Sequence, residues 1–189
     1  MIRISGGTLK GRYLQTPEGT LFRPTKSLVR QSLMNAIDFN ETCMLDLCCG
    51  SGAVGVEALS HGAKHVTFVD SNPKVIQYLK NNLTKLEVDT NRYSIVAATI
   101  EKFLKKPPQS LHLSISRIFW DPPYIKNTYD KTYDDILSLL ERSGLMENDA
   151  LLVIEGPQDF KVISHNSWRL EKTKTYGQTS LQYWQKHEI

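Results

Sequence analysis

The ten residues D-L-C-C-G-S-G-A-V-G, from Asp46 to Gly55, constrain this 189-residue chain more than any other stretch. Gly50, Gly52 and Gly55 stand at the spacing G-x-G-x-x-G. The apolar run "MLDL" leads into them as a short strand, and "AVGVEALSHG" leaves them as a helix stopped by Gly62. A strand that turns through glycines into a helix aims the helix's first backbone N–H groups at whatever lies beyond the strand. Any nucleotide-bearing cofactor seated there needs the same permissive glycines, so the loop by itself does not choose one.

The pattern repeats downstream. "HVTFVD" is a second strand and "NPKVIQYLKNNLTKL" a helix with Pro73 at its first position, where the missing N–H does no harm. "YSIVA" is a third strand, and "IEKFLKK" a short helix closed by Pro107 and Pro108. "RIFWD", "YDDILSLLERSG" and "ALLVIEG" read as strand, helix and strand, and "WRLEKTKTYG" with "SLQYWQK" as a closing hairpin. Upstream of the loop, residues 1–15 read as a short hairpin about Gly6 and Gly7. Thr25 reads as the N-cap of a helix over 26–38, with Leu28, Leu33, Ala36 and Ile37 on its apolar face. Strands alternating with helices predict right-handed crossovers and an α/β fold, a mostly parallel seven-stranded sheet covered on both faces. The closing hairpin adds an antiparallel edge strand. The length suits one domain, with residues 1–40 as an extension and 41–189 as the core.

Net charge is only +3, but residues 1–30 carry six cations against the single acid Glu18, a basic opening suited to a polyphosphate partner. The segment "MIRISGGTLKGR" lacks the apolar centre of a signal peptide, and no apolar run approaches a membrane span. Cys43, Cys48 and Cys49 are odd in number and lack zinc spacing, so no metal site is expected. The expectation is a cytoplasmic, monomeric protein without a membrane partner. Trp120 is expected in the core, and Glu155 facing solvent.

Ligands of open parallel sheets sit beyond the carboxyl ends of the strands, at the switch in strand order. Asp70 ends the second strand, and a carboxylate there accepts hydrogen bonds from ribose hydroxyls of either NAD or S-adenosylmethionine (SAM). Two features discriminate. Asp46 lies four residues before Gly50, where it would repel a pyrophosphate and attract the sulfonium and α-ammonium of SAM. The tetrapeptide Asp121-Pro122-Pro123-Tyr124 follows the fourth strand. Its two prolines fix the backbone and remove donors, leaving the Asp121 carboxylate and the Pro122 carbonyl as acceptors beside a flat Tyr124 ring. That arrangement suits a planar group bearing an amino N–H₂ which must lose a proton. Asp46 as a turn residue and the tetrapeptide as a plain turn are the bland readings. Both features at strand ends of one alternating chain favour SAM.

The segments "RISGGTLKGRYL", "FRPTKSLVRQSLMNAI", "DLCCGSGAVGVEALSHGA", "FVDSNP" and "DPPY", with the closing "YGQTSLQYW", resemble in order and spacing the bacterial small-subunit ribosomal RNA guanine-N2 methyltransferases, the RsmD family. The resemblance implies a class I SAM-dependent methyltransferase fold, Rossmann-like, acting on the exocyclic N2 of one guanine in 16S rRNA. It implies Asp46, Gly50, Ser51 and Gly52 at the methionine end of the cofactor, and Asp70 with Ser71 at the ribose. Asp121, Pro122, Pro123 and Tyr124 would hold the guanine, with Asp121 also bordering the cofactor. Arg12, Arg23, Thr25 and Arg30 fall in the family's N-terminal block and would approach RNA. One departure concerns adenine recognition: where the family usually has an Asp, five residues before Leu104, this chain has Thr99.

The acceptor pair can turn the amino lone pair toward the methyl donor, and Asp121 can take the released proton. An assembled or assembling small ribosomal subunit is the expected partner, because little of the chain remains for recognising free RNA. Two other readings stand beside this one: amino or amide methylation of DNA adenine or protein glutamine, and a non-catalytic RNA-binding relative.

Overall fold

The computed structural model describes residues 1–17, 25–108, 111, 114–122, 131–160, 162 and 167–187. Two short antiparallel strands, β1 (Ile2–Arg3) and β2 (Tyr13–Leu14), precede α1 (Ser27–Ala36). Then come β3 (Cys43–Leu47), α2 (Ala53–Ser60), β4 (His65–Asp70), α3 (Pro73–Lys85), a 3₁₀ turn (Thr90–Arg92) and β5 (Tyr93–Ala97). The chain continues through α4 (Ile100–Lys105), β6 (Ile115–Trp120), α5 (Lys131–Arg142), β7 (Met146–Pro157), β8 (Trp168–Tyr176) and β9 (Thr179–Lys186).

The seven long strands lie in the order β5-β4-β3-β6-β7-β9-β8, parallel from β5 to β7 and antiparallel on both sides of β9. The order reverses between β3 and β6, so the carboxyl ends of those two strands frame the crevice where a ligand fits. The closing hairpin supplies the antiparallel edge expected of it. Its antiparallel strand β9 inserts between β7 and β8, leaving β8 at the edge. β7 is thereby hydrogen-bonded to β9 from Leu151 to Pro157.

Alternation along each strand divides the core. On one face Met44, Phe68, Phe119, Val153 and Tyr183 meet Leu33 of α1, Val56 and Leu59 of α2 and Leu79 of α3. On the other, Leu47, Val69, Trp120, Ile154 and Trp184 meet Phe103 of α4 and Leu137 and Leu140 of α5. Trp120 is thus a core residue, 1% exposed. No helix among the described residues is long and apolar enough to cross a membrane.

Helix α3 begins as its sequence dictates: Pro73 opens it and the Asn72 side chain accepts from Lys74 N at 3.0 Å. Helix α1 does not. Its N-cap is Lys26 rather than Thr25, and no side chain caps it. Leu28, expected on the apolar face, is 64% exposed, while Val29, Arg30, Leu33 and Met34 turn inward. The inward face therefore includes a cation, Arg30, which an apolar count misses.

The N-terminal segment is fastened to α2 and α3. Ser5 donates from N and Oγ to Glu57 Oε1 at 2.8 and 2.9 Å. Thr8 N and Leu9 N reach Ser60 O and Ser60 Oγ, both at 2.8 Å. Asn82 exchanges two bonds with the Gln15 backbone, at 2.8 and 2.9 Å. Gly7 has φ +72, and a Cβ there would stand 1.9 Å from Ser60 O, so only glycine fits.

Candidate active site

The turn after β3 is held by a carboxylate from the neighbouring strand. Asp70, the last residue of β4, accepts from Gly50 N at 2.9 Å with Oδ2 and from Asn72 N at 2.9 Å with Oδ1. The loop needs three successive departures from ordinary backbone, with φ +57 at Cys48, +56 at Gly50 and +76 at Gly52. The glycines adopt this conformation freely, whereas Cys48 is held in it by the surrounding structure. Gly52 N bonds Cys49 O at 2.8 Å, closing the turn, and α2 starts at the next residue.

Gly55, the third glycine of the spacing, serves packing. A Cβ there would stand 2.3 Å from Phe68 Cε1, 2.8 Å from Val66 Cγ1 and 2.9 Å from Asp46 Oδ2. Its N–H instead donates to Asp46 Oδ2 at 3.0 Å. Asp46 is 1% exposed. Burial pushes its carboxyl up to about 7 against the pull of the Gly55 N–H, and the Asp70 charge adds to the rise.

On the far side of the crevice Asp121 N reaches back to Leu47 O at 3.4 Å, so Asp121 and Pro122, both half-buried, continue from β6 beside the start of the glycine loop. The charges of Asp70, Asp121, Asp46 and Glu101 all act on the Cys48 thiol, which burial and those carboxylates push up to about 12. Four carboxylates thus act on one half-buried thiol, and Cys48 stays a neutral thiol among them. Neither Cys48 nor Glu101 was a candidate from sequence. Glu101 lies one residue into α4, and only the fold turns that first turn toward the loop.

Of the expected cofactor residues, Asp46, Gly50, Ser51, Gly52, Asp70 and Asp121 gather in this corner; Ser51 is buried and Ser71 exposed. Thr99 is exposed and caps α4, accepting from Lys102 N at 3.3 Å. Pro123, Tyr124 and Arg23 lie outside the described residues.

The N-terminal candidates separate. Arg12 is exposed and donates to Lys85 O at 2.9 Å. Thr25 is buried, and its carbonyl accepts from Arg30 Nη1 at 2.6 Å. Arg30 calls for a correction. It is 3% exposed, its Nη2 donates to Arg3 O at 3.2 Å, and its Nε lies 3.6 Å from Glu57 Oε1. Desolvation lowers its pKa against the opposing charges of Glu57 and Glu155. A guanidinium committed to the protein interior does not present itself to phosphate, so Arg30 joins the extension to α2. Glu155, expected in solvent, is also inward, 4% exposed.

The donor set fits S-adenosylmethionine. Buried and half-buried carboxylates at the switch point attract a sulfonium and an ammonium and oppose a diphosphate. Asp70 keeps lone pairs for ribose hydroxyls while it braces the loop.

A model of the family described as conserved hypothetical protein 95 matches residues 2–185. The chain is 32% identical over 186 residues to the ribosomal RNA small subunit methyltransferase D of Haemophilus influenzae, covering 97% of this chain and 93% of that one. It is 31% identical over 194 residues to the putative rRNA methyltransferase YlbH of Bacillus subtilis, covering 98% and 99%. Among solved structures, the putative methyltransferase yhhF from Escherichia coli superposes with a TM-score of 0.84 at 30% identity, covering 100% and 99%. An RNA methyltransferase from Salinibacter ruber in complex with S-adenosyl-L-homocysteine shares the fold, with a TM-score of 0.66 at 13% identity.

Proposed function

The chain belongs to the family of the ribosomal RNA small subunit methyltransferases D, and we propose that it moves a methyl group from S-adenosylmethionine to the exocyclic N2 of a guanine in small-subunit rRNA. Methylation of rRNA with SAM as donor follows from the family; the guanine amino acceptor is our finer reading. What supports it is the position of Asp121 and Pro122, held at the end of β6 by the Asp121 N bond to Leu47 O at 3.4 Å, where the β3 glycine loop begins.

When bound, SAM supplies a methyl on a cationic sulfur, so alignment and exclusion of water are the main tasks left to the chain. Asp46 and the surrounding carboxylates hold the positive end, and Asp70 the ribose. A guanine turned out of its stack offers its amino group to the Asp121 carboxylate and the Pro122 carbonyl. Those acceptors take the N–H bonds and leave the nitrogen lone pair facing the methyl donor. As the nitrogen turns tetrahedral and positive, they stabilise it more than they stabilised the planar amine. The proton then passes to the Asp121 carboxylate. Tyr124 is proposed to stack on the base, a contact worth about 1–3 kcal/mol. Lys26 is exposed just before α1 and with Arg23 is proposed to meet the RNA backbone, whereas Arg12, bonded to Lys85 O, lies at the end of α3 away from the crevice. We further read the chain as one domain acting as a cytoplasmic monomer on a small ribosomal subunit.

The experiment is methyl-labelled SAM with unmodified small subunits, free 16S rRNA, duplex DNA and ribosomal protein in parallel, followed by digestion to nucleosides. N2-methylguanosine is the expected product; label in DNA or protein alone would overturn the rRNA reading. Asp121→Ala is expected to lower kcat about 10²–10⁴-fold while SAM affinity stays within about threefold. A variant with near-normal turnover removes Asp121 from the chemistry.

A further inference from the structure

Strand β8 carries a feature that neither the cofactor corner nor the acceptor pair uses. Its ladder with β9 shifts register between Leu170 and Lys172. Leu170 pairs with Trp184, whose ring lies in the core under α5, whereas Lys172 pairs with Tyr183, whose ring lies in the core under α1. Strict alternation would keep residues 170, 172, 174 and 176 on one face. The bulge instead sends Lys172, Lys174 and Tyr176 to the α1 face, which is how bulges re-aim side chains beside functional sites.

The consequence is two ammonium groups over one ring. Lys172 Nζ lies 4.6 Å and Lys174 Nζ 6.0 Å from the Tyr183 ring centroid. Neither has a carboxylate partner among the described residues; the nearby acid Glu171 pairs with Arg169 at 2.7 Å. Tyr176 continues the row and hydrogen-bonds Ser32 of α1, the helix that Lys26, itself exposed, precedes. Lysines on an edge strand often serve only to block pairing with another chain. Here both ammonium groups instead lie over the Tyr183 ring on the sheet face, where one anion could meet the two.

We infer that Lys172 and Lys174, aimed by the β8 bulge, form a phosphate-binding ledge for the RNA backbone flanking the methylated nucleotide. The inference rests on the reading of rRNA as substrate. The ledge is three strands from β6, about 14 Å at roughly 4.8 Å per strand, and β8 ends at the same edge of the sheet as β7, since Tyr176 and Pro157 both pair with Thr179. One strand of RNA can therefore meet the acceptor pair and the ledge together.

The test compares the parent protein with Lys172→Gln/Lys174→Gln, Lys172→Glu/Lys174→Glu and Lys172→Arg/Lys174→Arg on small subunits across a range of salt. Parent binding that rises as salt falls is the first requirement, and its absence would overturn the rRNA reading and the ledge with it. Given that slope, the glutamine pair should raise KM for the subunit with kcat and KM for SAM unchanged, and should lower the slope of log affinity against log salt by about 1.4–1.8, two phosphate contacts' worth. The glutamate pair should weaken binding further, and the arginine pair should restore it. A parental slope that survives in the glutamine pair overturns the ledge alone. So does a loss confined to thermal stability, which would mean the lysine stems merely cover Tyr183.

Discussion

Helix α2 supports two regions built on opposite principles. At its N-terminal end, the cofactor corner is made by bonds between near neighbours in sequence: Gly55 N to Asp46, nine residues apart, and Gly50 N to Asp70, twenty apart. Along its flank, the N-terminal extension is fastened by bonds across more than fifty residues, from Ser5 to Glu57 and from Thr8 and Leu9 to Ser60. The first region gathers carboxylates around the Cys48 thiol. The second buries a cation, Arg30, and neutralises it from within through Glu57. The corner is thus poised to bind a cation, whereas the extension has already bound its own. What the extension leaves for RNA is its exposed cations.

The largest effect expected from this contrast is on the internal pair. Glu57→Leu or Arg30→Met leaves an uncompensated buried charge, with an expected loss of about 3–5 kcal/mol in urea unfolding. Replacing both together should recover much of that. SAM affinity of the folded single variants, measured by calorimetry, should stay within about threefold, because Arg30 is not part of the corner. A collapse of SAM affinity in protein that is still folded would break the division between the two regions.

Gly55→Ala tests the other region. Its new Cβ would press on Phe68 and Val66 and stand 2.9 Å from Asp46 Oδ2. Overpacking of this kind costs about 1–3 kcal/mol, less than the broken ion pair. Here, though, SAM affinity should fall with stability, since the backbone cannot shift without moving the Asp46 carboxylate. Stability lost with affinity intact would show that Gly55 matters for packing alone.

The two regions also differed in how far the sequence disclosed them. Strands β4 and β5 run over the residues their apolar runs outline, and the Gly50–Gly55 spacing with Asp46 and Asp70 locates the corner, because turn chemistry and alternation act over short distances. Arg30 resembled any surface cation. Its burial depends on Glu57, Arg3 O and Thr25 O, and no local pattern carries that pairing. Glu101 was missed for the same reason, as a first-turn acid acquires a role only when the fold sets α4 against β4, beside the loop. The hairpin was legible as a hairpin, yet whether β8 or β9 lies against β7 is a matter of sheet closure, which the strands' own residues do not specify.

Near neutrality a smaller effect, about tenfold per pH unit or about 1.4 kcal/mol, comes from pH, and its sign differs between folding and binding. In the cofactor-free protein Asp46 titrates at about 7 instead of 3.8. Between those values the native state keeps a proton that the unfolded chain has lost. The stability this group contributes is therefore full below pH 3.8 and lost as pH rises through 7. Binding runs the other way. A cationic cofactor favours the carboxylate, so its binding releases the proton, and SAM affinity should rise by up to about tenfold per pH unit below 7 and level off above it. Asp46→Asn should bind SAM weakly and lose both slopes. Calorimetry between about pH 5.5 and 8, in buffers of different ionisation heat, reads the affinity and the released proton together. An affinity that is flat below pH 7 in the parent would mean Asp46 is already ionised without its cofactor, its burial offset by the Gly55 N–H. The corner would then hold a permanent charge rather than one drawn out by the ligand.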